Sequence, residues 1–422
     1  VPAVAESEVR PSTPARVASK PWLAGAVTFL SAFLLFQVQP SLAKMILPWF
    51  GGSAAVWTTC VLFFQAVLFL GYVYAHWLVE RVSDRKQGWL HTGLLVLSLV
   101  ALPVIPAESW KPSNAEAPVL RILGLLTATV GLPYFLLSST SPLVQAWIAR
   151  RGMSALPYRF YALSNLASLL ALLAYPVAIE PLIPARLQAY VWSGGFVVYA
   201  LLMARVALRP PSATLAEPSV RRVEAGESPR WGARVSWVVL SALASALSLS
   251  VTNHLCQNVA PIPFLWVLPL GVYLLSLILC FDGDGWYRRK WMLPAQAAAL
   301  AGAGWLLIHQ TPETSVRVVV PAYIAALFLF CMYLHGELAR RKPAAQHLTQ
   351  FYLMMSLGGL LGGVLVSLGA PYLLSGYYEF PIALALCALV SLMAEYRKHW
   401  VWDAVWAGVS IGLLLIAATL IT

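Results

Sequence analysis

Gln37, Gln39 and Lys44 stand within or just beyond one long apolar run of the sequence, Glu180 ends another, and Asn253, His254 and Gln257 end a third. Ser141, Gln145, Asn165, His335 and Glu337 interrupt others, as does His76. Polar side chains in such surroundings are costly to desolvate, so they face a partner, a cavity or a pathway. The chemistry open to this set is hydrogen bonding and ion pairing with a small solute. Hydrolysis and phosphoryl transfer find no support, because no H-E-x-x-H, P-loop or usefully spaced carboxylate pair occurs. Cys60, Cys256, Cys280, Cys331 and Cys387 lie in or beside apolar stretches with no C-x-x-C pair and no His at ligand spacing. They read as packing residues, and neither a metal nor a cofactor is expected.

The elements that must position these residues follow from composition. Hydrophobic residues make up 60% of the 422, charged residues 11%, and the mean hydropathy is +0.74. An ordinary soluble domain carries roughly 25% charged residues. The expected class is therefore an all-α integral membrane protein with the lipid bilayer as its surroundings. A membrane-crossing helix needs about 20 mostly apolar residues. Stretches of that length begin near residues 21, 53, 88, 119, 158, 186, 234, 262, 290, 316, 350, 379 and 401, which predicts thirteen spans.

With the N-terminus in the cytoplasm, every Lys and Arg except Lys44, Lys111, Arg121, Arg186 and Arg317 falls on the cytoplasmic side. The net charge of +11 is thereby explained by the positive-inside bias, and no nucleic-acid partner is expected. Residues 1–20, rich in Pro, Ser and Ala, read as a disordered cytoplasmic tail. The first apolar run passes into Gln37-Val38-Gln39-Pro40 without a small-residue cleavage site, as an uncleaved helix would. Residues 209–233 form the one long polar linker within the chain. They divide a first six-helix half (21–208) from a second (234–398), and residues 399–422 add one more helix.

The halves repeat. Ala149-Arg150-Arg151 recurs as Ala339-Arg340-Arg341 and Pro181 as Pro371, both at an offset of 190, and Phe160-Tyr161 recurs as Phe351-Tyr352 at 191. The fifth and eleventh helices are the expected counterparts. Each follows an even number of spans, so the two copies run parallel, the arrangement of major facilitator transporters. Gln145 and His335 also match at 190, which suggests a paired inner gate. By depth, Gln37, Gln39, Lys44, Glu180, Asn253, His254 and Gln257 form an outer polar layer, and His76, Gln145, Asn165, His335 and Glu337 an inner one. Lys44 and Glu180 could pair across a cavity between the halves as an outer gate. For each residue taken alone, a helix cap or interfacial anchor is the competing assignment. Trp57 and Trp266, at matching places in the halves, suit either core packing or stacking on an organic cation.

Phe33-Leu34-Leu35-Phe36-Gln37-Val38-Gln39-Pro40, Leu47-Pro48-Trp49-Phe50-Gly51-Gly52-Ser53, Gly71-Tyr72-Val73-Tyr74-Ala75-His76, Ser141-Pro142-Leu143-Val144-Gln145, Val251-Thr252-Asn253-His254, Leu265-Trp266-Val267-Leu268-Pro269-Leu270 and Leu334-His335-Gly336-Glu337-Leu338 resemble a bacterial family. It is the membrane part of the fused major facilitator/spermidine synthase proteins, and the resemblance runs from about residue 25 to 395. It implies a multi-pass protein of the bacterial inner membrane and a small-molecule substrate such as an amine or a synthase-linked product. Family members usually continue into a soluble synthase-like domain, and the sequence stops short of one, so no catalytic residues are expected here. Gly358-Gly359 and Gly362-Gly363 lie in an apolar span, where glycines four apart suit close helix packing.

Two functions follow as expectations. One is a transporter whose pathway uses Gln37, Gln39, Lys44, Ser141, Gln145, Asn165, Glu180, Asn253, His254, Gln257, His335 and Glu337. The other is a non-transporting membrane scaffold, with residues 401–422 docking a protein partner. A polycation would call for several buried carboxylates, and the sequence has few to offer.

Overall fold

The computed structural model describes residues 21–50, 54–112, 118–150, 156–208, 229–258, 263–283, 285–311, 313–395 and 404–413. The expected tail, most of the linker, the side chains of Trp57 and Trp266, and most of residues 399–422 lie outside the described residues. Every regular element among the described residues is helical. In hydrocarbon this is forced, because only a helix or a closed barrel satisfies its own backbone polar groups.

The first half comprises α1 (Pro21–Ile46), α2 (Ala54–Arg81), α3 (Asp84–Ser98), α4 (Val119–Arg150), α5 (Tyr158–Leu182) and α6 (Ala185–Ala207). The second comprises α7 (Trp231–Asn258), α8 (Pro263–Asp282), α9 (Arg289–His309), α10 (Val316–Arg340), α11 (Leu348–Leu373) and α12 (Glu379–Glu395). A thirteenth helix, α13 (Ala404–Leu413), follows. Among the described residues a helix stands at each of the thirteen expected positions. Nine are long and apolar enough to cross a membrane, α8, α12 and α13 are shorter apolar helices, and α3 carries the charges of its Asp84-Arg85-Lys86 start.

Each half has its own core. One is built on residues such as Val38, Leu78, Leu126, Val144 and Phe196, the other on Trp237, Leu247, Phe330, Leu384 and, from α13, Trp406 and Leu413. α13 is thus packed onto the second half by a fully buried tryptophan. Within it, Gly408-Val409-Ser410-Ile411-Gly412 has the spacing of a hydrolase nucleophile turn. The segment is uninterrupted helix, and Ser410 Oγ donates to the Trp406 carbonyl one turn back at 2.7 Å. It lacks the strand-to-helix turn that exposes such a serine.

The repeat is visible in the backbone. Wide π-turns occupy Tyr175–Ile179 of α5 and Leu365–Gly369 of α11, again 190 apart. Proline supplies the cause: Pro181 and Pro371 cannot donate to the carbonyls four residues back, Val177 and Ser367, and their rings clash with them. Those two residues are the midpoints of the π-turns, where the helix widens around the missing bond.

The halves meet along α2 against α11 and α5 against α8. Within the second half, α11 lies close on α7: a Cβ at Gly358 would strike the Val238 carbonyl, and one at Gly362 the Ala242 carbonyl. The glycine spacing therefore serves close helix contact, as expected. On α5, Leu166, Leu170 and Leu173 are exposed at i, i+4 and i+7. This is a lipid-facing stripe opposite the face that carries Asn165 and Ser168.

Candidate functional site

Between the halves lies a cavity of about 620 Å³ walled by α1, α2, α4, α5, α7, α8, α10 and α11. Its mouth is formed by Lys44, Leu47, Pro48 and Glu180 at the end of the bundle where α1 finishes. Its floor is formed by Tyr72, Tyr161, Tyr273, His335 and Tyr352. Helix geometry puts its polar groups there. Ser241, Ser245, Ser248 and Thr252 follow one another at i, i+4, i+7 and i+11, one stripe of α7, and all four line the cavity. Ser164, Asn165, Ser168 and Tyr175 do the same on α5.

At the mouth, Lys44 Nζ donates to Glu180 Oε1 at 2.8 Å, with both side chains partly in contact with solvent. The pair joins α1 to α5 inside one half. It is a feature of the rim and bridges nothing between halves. Gln39 lines the wall below and donates to Tyr134 Oη at 3.0 Å.

The floor is sealed by contacts across the halves. The rings of Tyr161 and Tyr352 stack with centroids 4.9 Å apart, and among the described residues Tyr161 is the one buried first-half member of the second half's core. Tyr352 Oη donates to Gln145 Oε1 at 2.6 Å, and Gln145 Nε2 donates to Ser141 Oγ at 2.7 Å. Beyond the floor, His76 Nδ1 and Thr349 Oγ1 lie 3.0 Å apart, and Tyr158 Oη donates to the Pro343 carbonyl at 2.6 Å. Among the described residues these contacts between the halves gather toward the end that carries Arg81, Arg150 and Arg341, whereas Lys44 and Glu180 at the other end are partly exposed.

The basic end is braced within each half at corresponding positions. Trp147 of α4 donates to Gln87 Oε1 at 2.8 Å. Its counterpart 190 residues on, Glu337, accepts from Tyr287 Oη at 2.8 Å and lies 3.3 and 3.4 Å from Arg289 and Arg341. Glu337 is 3% exposed. Removing one member of a buried ion cluster strands the others, at about 3 kcal/mol. Glu337→Ala is accordingly expected to lower stability by about that much, read as thermal unfolding in detergent, with Glu337→Gln losing less. An unchanged melting temperature for the alanine variant would contradict the bracing role.

Of the residues singled out in the sequence, Gln39, Lys44, Ser141, Asn165, Glu180 and His335 line the cavity. Gln37 does not. It turns into its own half beside Ser41, whose hydroxyl donates to Gln188 Oε1 at 3.0 Å. Gln145 is buried beneath Tyr352. Asn253 donates to Glu379 Oε1 at 3.4 Å within the second half, and His254 packs edge-on to Tyr323 and against Phe380. Gln257 is exposed at the end of α7, and Glu337 is held as described. Gln145 and His335 are not each other's partner; His335 Nδ1 lies 2.8 Å from Ser276 Oγ. The tyrosines and most of the serines escaped notice because their composition is ordinary for an apolar helix. Only the one-sided stripe on α7 could have revealed them.

No family model and no curated protein matches the chain in sequence. Solved structures do match it in shape. A bacterial homologue of the iron transporter ferroportin in an outward-facing state aligns with 94% of this chain and 99% of its own at 14% identity, TM-score 0.55. The major facilitator superfamily proton:xylose symporter XylE, bound to 6-bromo-6-deoxy-D-glucose, aligns with 94% of each chain at 15% identity, TM-score 0.53. The human organic anion transporter MFSD10 aligns with 94% of this chain and 99% of its own at 13% identity, TM-score 0.53. The chain thus has the major facilitator fold, with α13 added to its two six-helix halves.

Proposed function

We propose that the chain is a membrane transporter that carries a small metabolite by alternating access. The observation that carries this reading is the cavity: substrate-sized, placed between two parallel halves, and flanked toward one end by contacts that cross from half to half. Parallel-repeat transporters bind substrate at such an interface and rock one half against the other. The solved structures of like shape are transporters, which supports the same reading.

The mouth faces outward and the basic end faces the cytoplasm of a bacterial inner-membrane protein, on the distribution of Lys and Arg. Ser83, exposed between α2 and α3, tests this. A Ser83→Cys variant is expected to react with a membrane-impermeant maleimide in inverted vesicles and not in intact cells. The opposite pattern would reverse the orientation. The resemblance to the fused synthase family supports a product or substrate of a linked synthase as cargo. A fully charged polyamine fits poorly, since Glu180, the one carboxylate among the described lining residues, is already paired with Lys44. The direct test of transport is uptake of labelled metabolites into liposomes holding the purified protein; no flux above protein-free liposomes for any member of a broad panel would defeat it.

The scaffold reading keeps one supporting observation. Gly408 and Gly412 of α13 have open space where a side chain would begin, which leaves that helix free for close approach by another. Deleting α13 would then release a co-purifying protein and leave flux intact.

A further inference from the structure

Three of the hydrogen bonds described above pass from one half to the other, and they differ in whether water can replace them. His76, which meets Thr349, and Tyr158, which donates to the Pro343 carbonyl, are half-buried. Water takes the place of such a bond at little cost when it breaks. The bond from Tyr352 Oη to Gln145 Oε1 at 2.6 Å is of another kind, because Gln145 is 0% and Tyr352 1% exposed. A polar group stranded there has nothing to turn to while the halves stay together.

Both partners are held in place from their own side. Gln145 Nε2 donates to Ser141 Oγ one turn back on α4 at 2.7 Å, which fixes the amide and turns its other end toward α11. Tyr352 is fixed by its ring, which lies within 15° of parallel to that of Tyr161. Tyr161 in turn packs on Phe281 of the second half, with centroids 4.8 Å apart. Ser141, Tyr161 and Tyr352 line the cavity, and Gln145 lies beneath them on the side of the basic end. Any movement that joins the cavity to the basic end between α4 and α11 must therefore separate Tyr352 from Gln145. Once apart, each is hydrated by the water that enters.

We infer that Gln145, oriented by Ser141, is the positioning residue of a clasp with Tyr352 that sets how often the halves part at the basic end. The inference rests on the transport reading for what such parting serves, but the parting itself is measured without cargo. Its physical content is an asymmetry. Removing one partner strands the other in the closed arrangement alone and so favours parting; removing both strands nothing, and the apolar contact left behind favours closure again.

Nitroxide labels on Ser83→Cys and Ala344→Cys, exposed positions at the basic end of the first and second halves, report the separation of the halves in full-length protein in nanodiscs by pulsed electron spin resonance. The background is Cys256→Ser, since the other four cysteines are buried. Tyr352→Phe keeps the ring and its stack on Tyr161 and removes only the hydroxyl. It should raise the ratio of wide to narrow separations about tenfold, the effect of one unsatisfied buried group. Gln145→Met should do the same from the other side, and Ser141→Ala should act in the same direction by a smaller factor. The double variant Gln145→Met/Tyr352→Phe should return to the parent ratio or below it. Should Gln145→Met fail to fold, Tyr352→Phe and Ser141→Ala still decide. A lowered melting temperature with an unmoved ratio would reduce the pair to packing and overturn the inference, as would single effects that multiply in the double variant. A shifted ratio without flux of any compound into liposomes would sustain the clasp and count against transport. Flux in the parent with a ratio that no variant moves would sustain transport and reject the clasp.

Discussion

Replacing Gly362 by valine should unfold the second half or prevent its assembly. The new Cβ would run into the Ala242 carbonyl and lie 3.0 Å from both the Ala246 nitrogen and the Ser245 Cβ. All three belong to α7, and two of them are backbone, which cannot rotate away. α7 and α11 would have to separate along their whole contact, opening the packing that small residues allow and that stands in for the hydrophobic effect in lipid. Overpacking of a rigid contact costs about 3 kcal/mol at the upper end of the usual range, a large share of the stability of any domain. The internal control is Gly359, one position removed from Gly358, where a Cβ meets nothing within 4 Å. Gly359→Ala should be neutral or stabilising by up to about 1 kcal/mol through helix propensity. Folded yield and melting temperature in detergent report both. Equal behaviour of the two variants would mean that the α7–α11 contact is not as close as described.

The largest effect on activity is expected from tying the basic end shut. His76 and Thr349 belong to different halves and their side chains touch at 3.0 Å. With cysteines at both positions, a short bis-thiosulfonate reagent should join α2 to α11. Flux into liposomes should then fall to that of protein-free membranes and return on reduction. The logic is that of any two-state carrier: a covalent link removes the state open at the basic end, so substrate can enter the cavity but never leave it inward. Each single cysteine treated with the same reagent should stay active. Complete cross-linking with undiminished flux would rule out alternating access for this chain.

Much of the architecture was legible in the sequence because membrane helices obey few rules. Length and apolarity placed thirteen spans, and the recurring Ala-Arg-Arg turn with Pro181 and Pro371 placed the repeat, since proline and charge leave marks that apolar packing does not. The site was legible in part. Lys44 and Glu180 stood out as charges and do meet; His335 and Asn165 stood out as polar residues at depth and do line the cavity. Gln37, Asn253 and Glu337 stood out just as much, and their partners are Ser41, Glu379 and Tyr287 within their own halves. A polar residue in an apolar run announces that it has a partner, and the sequence does not say whether that partner is solute or protein. The rotation of each helix decides this, and it is fixed by packing against several neighbours at once. The floor tyrosines were missed for the converse reason: they pass as ordinary apolar bulk until Tyr161 is seen stacked on Tyr352.

The π-turns also bear on where the helices can change course. A carbonyl whose amide partner is taken away by proline marks a point of bending in a helix. Tyr175–Ile179 and Leu365–Gly369 put that point in the fifth helix of each half, and Tyr175 and Pro176 lie on the cavity wall. Thr127–Gly131 of α4 is a third such turn, with Pro133 four residues beyond its midpoint Thr129. These are the places at which a half can flex without breaking a further backbone hydrogen bond.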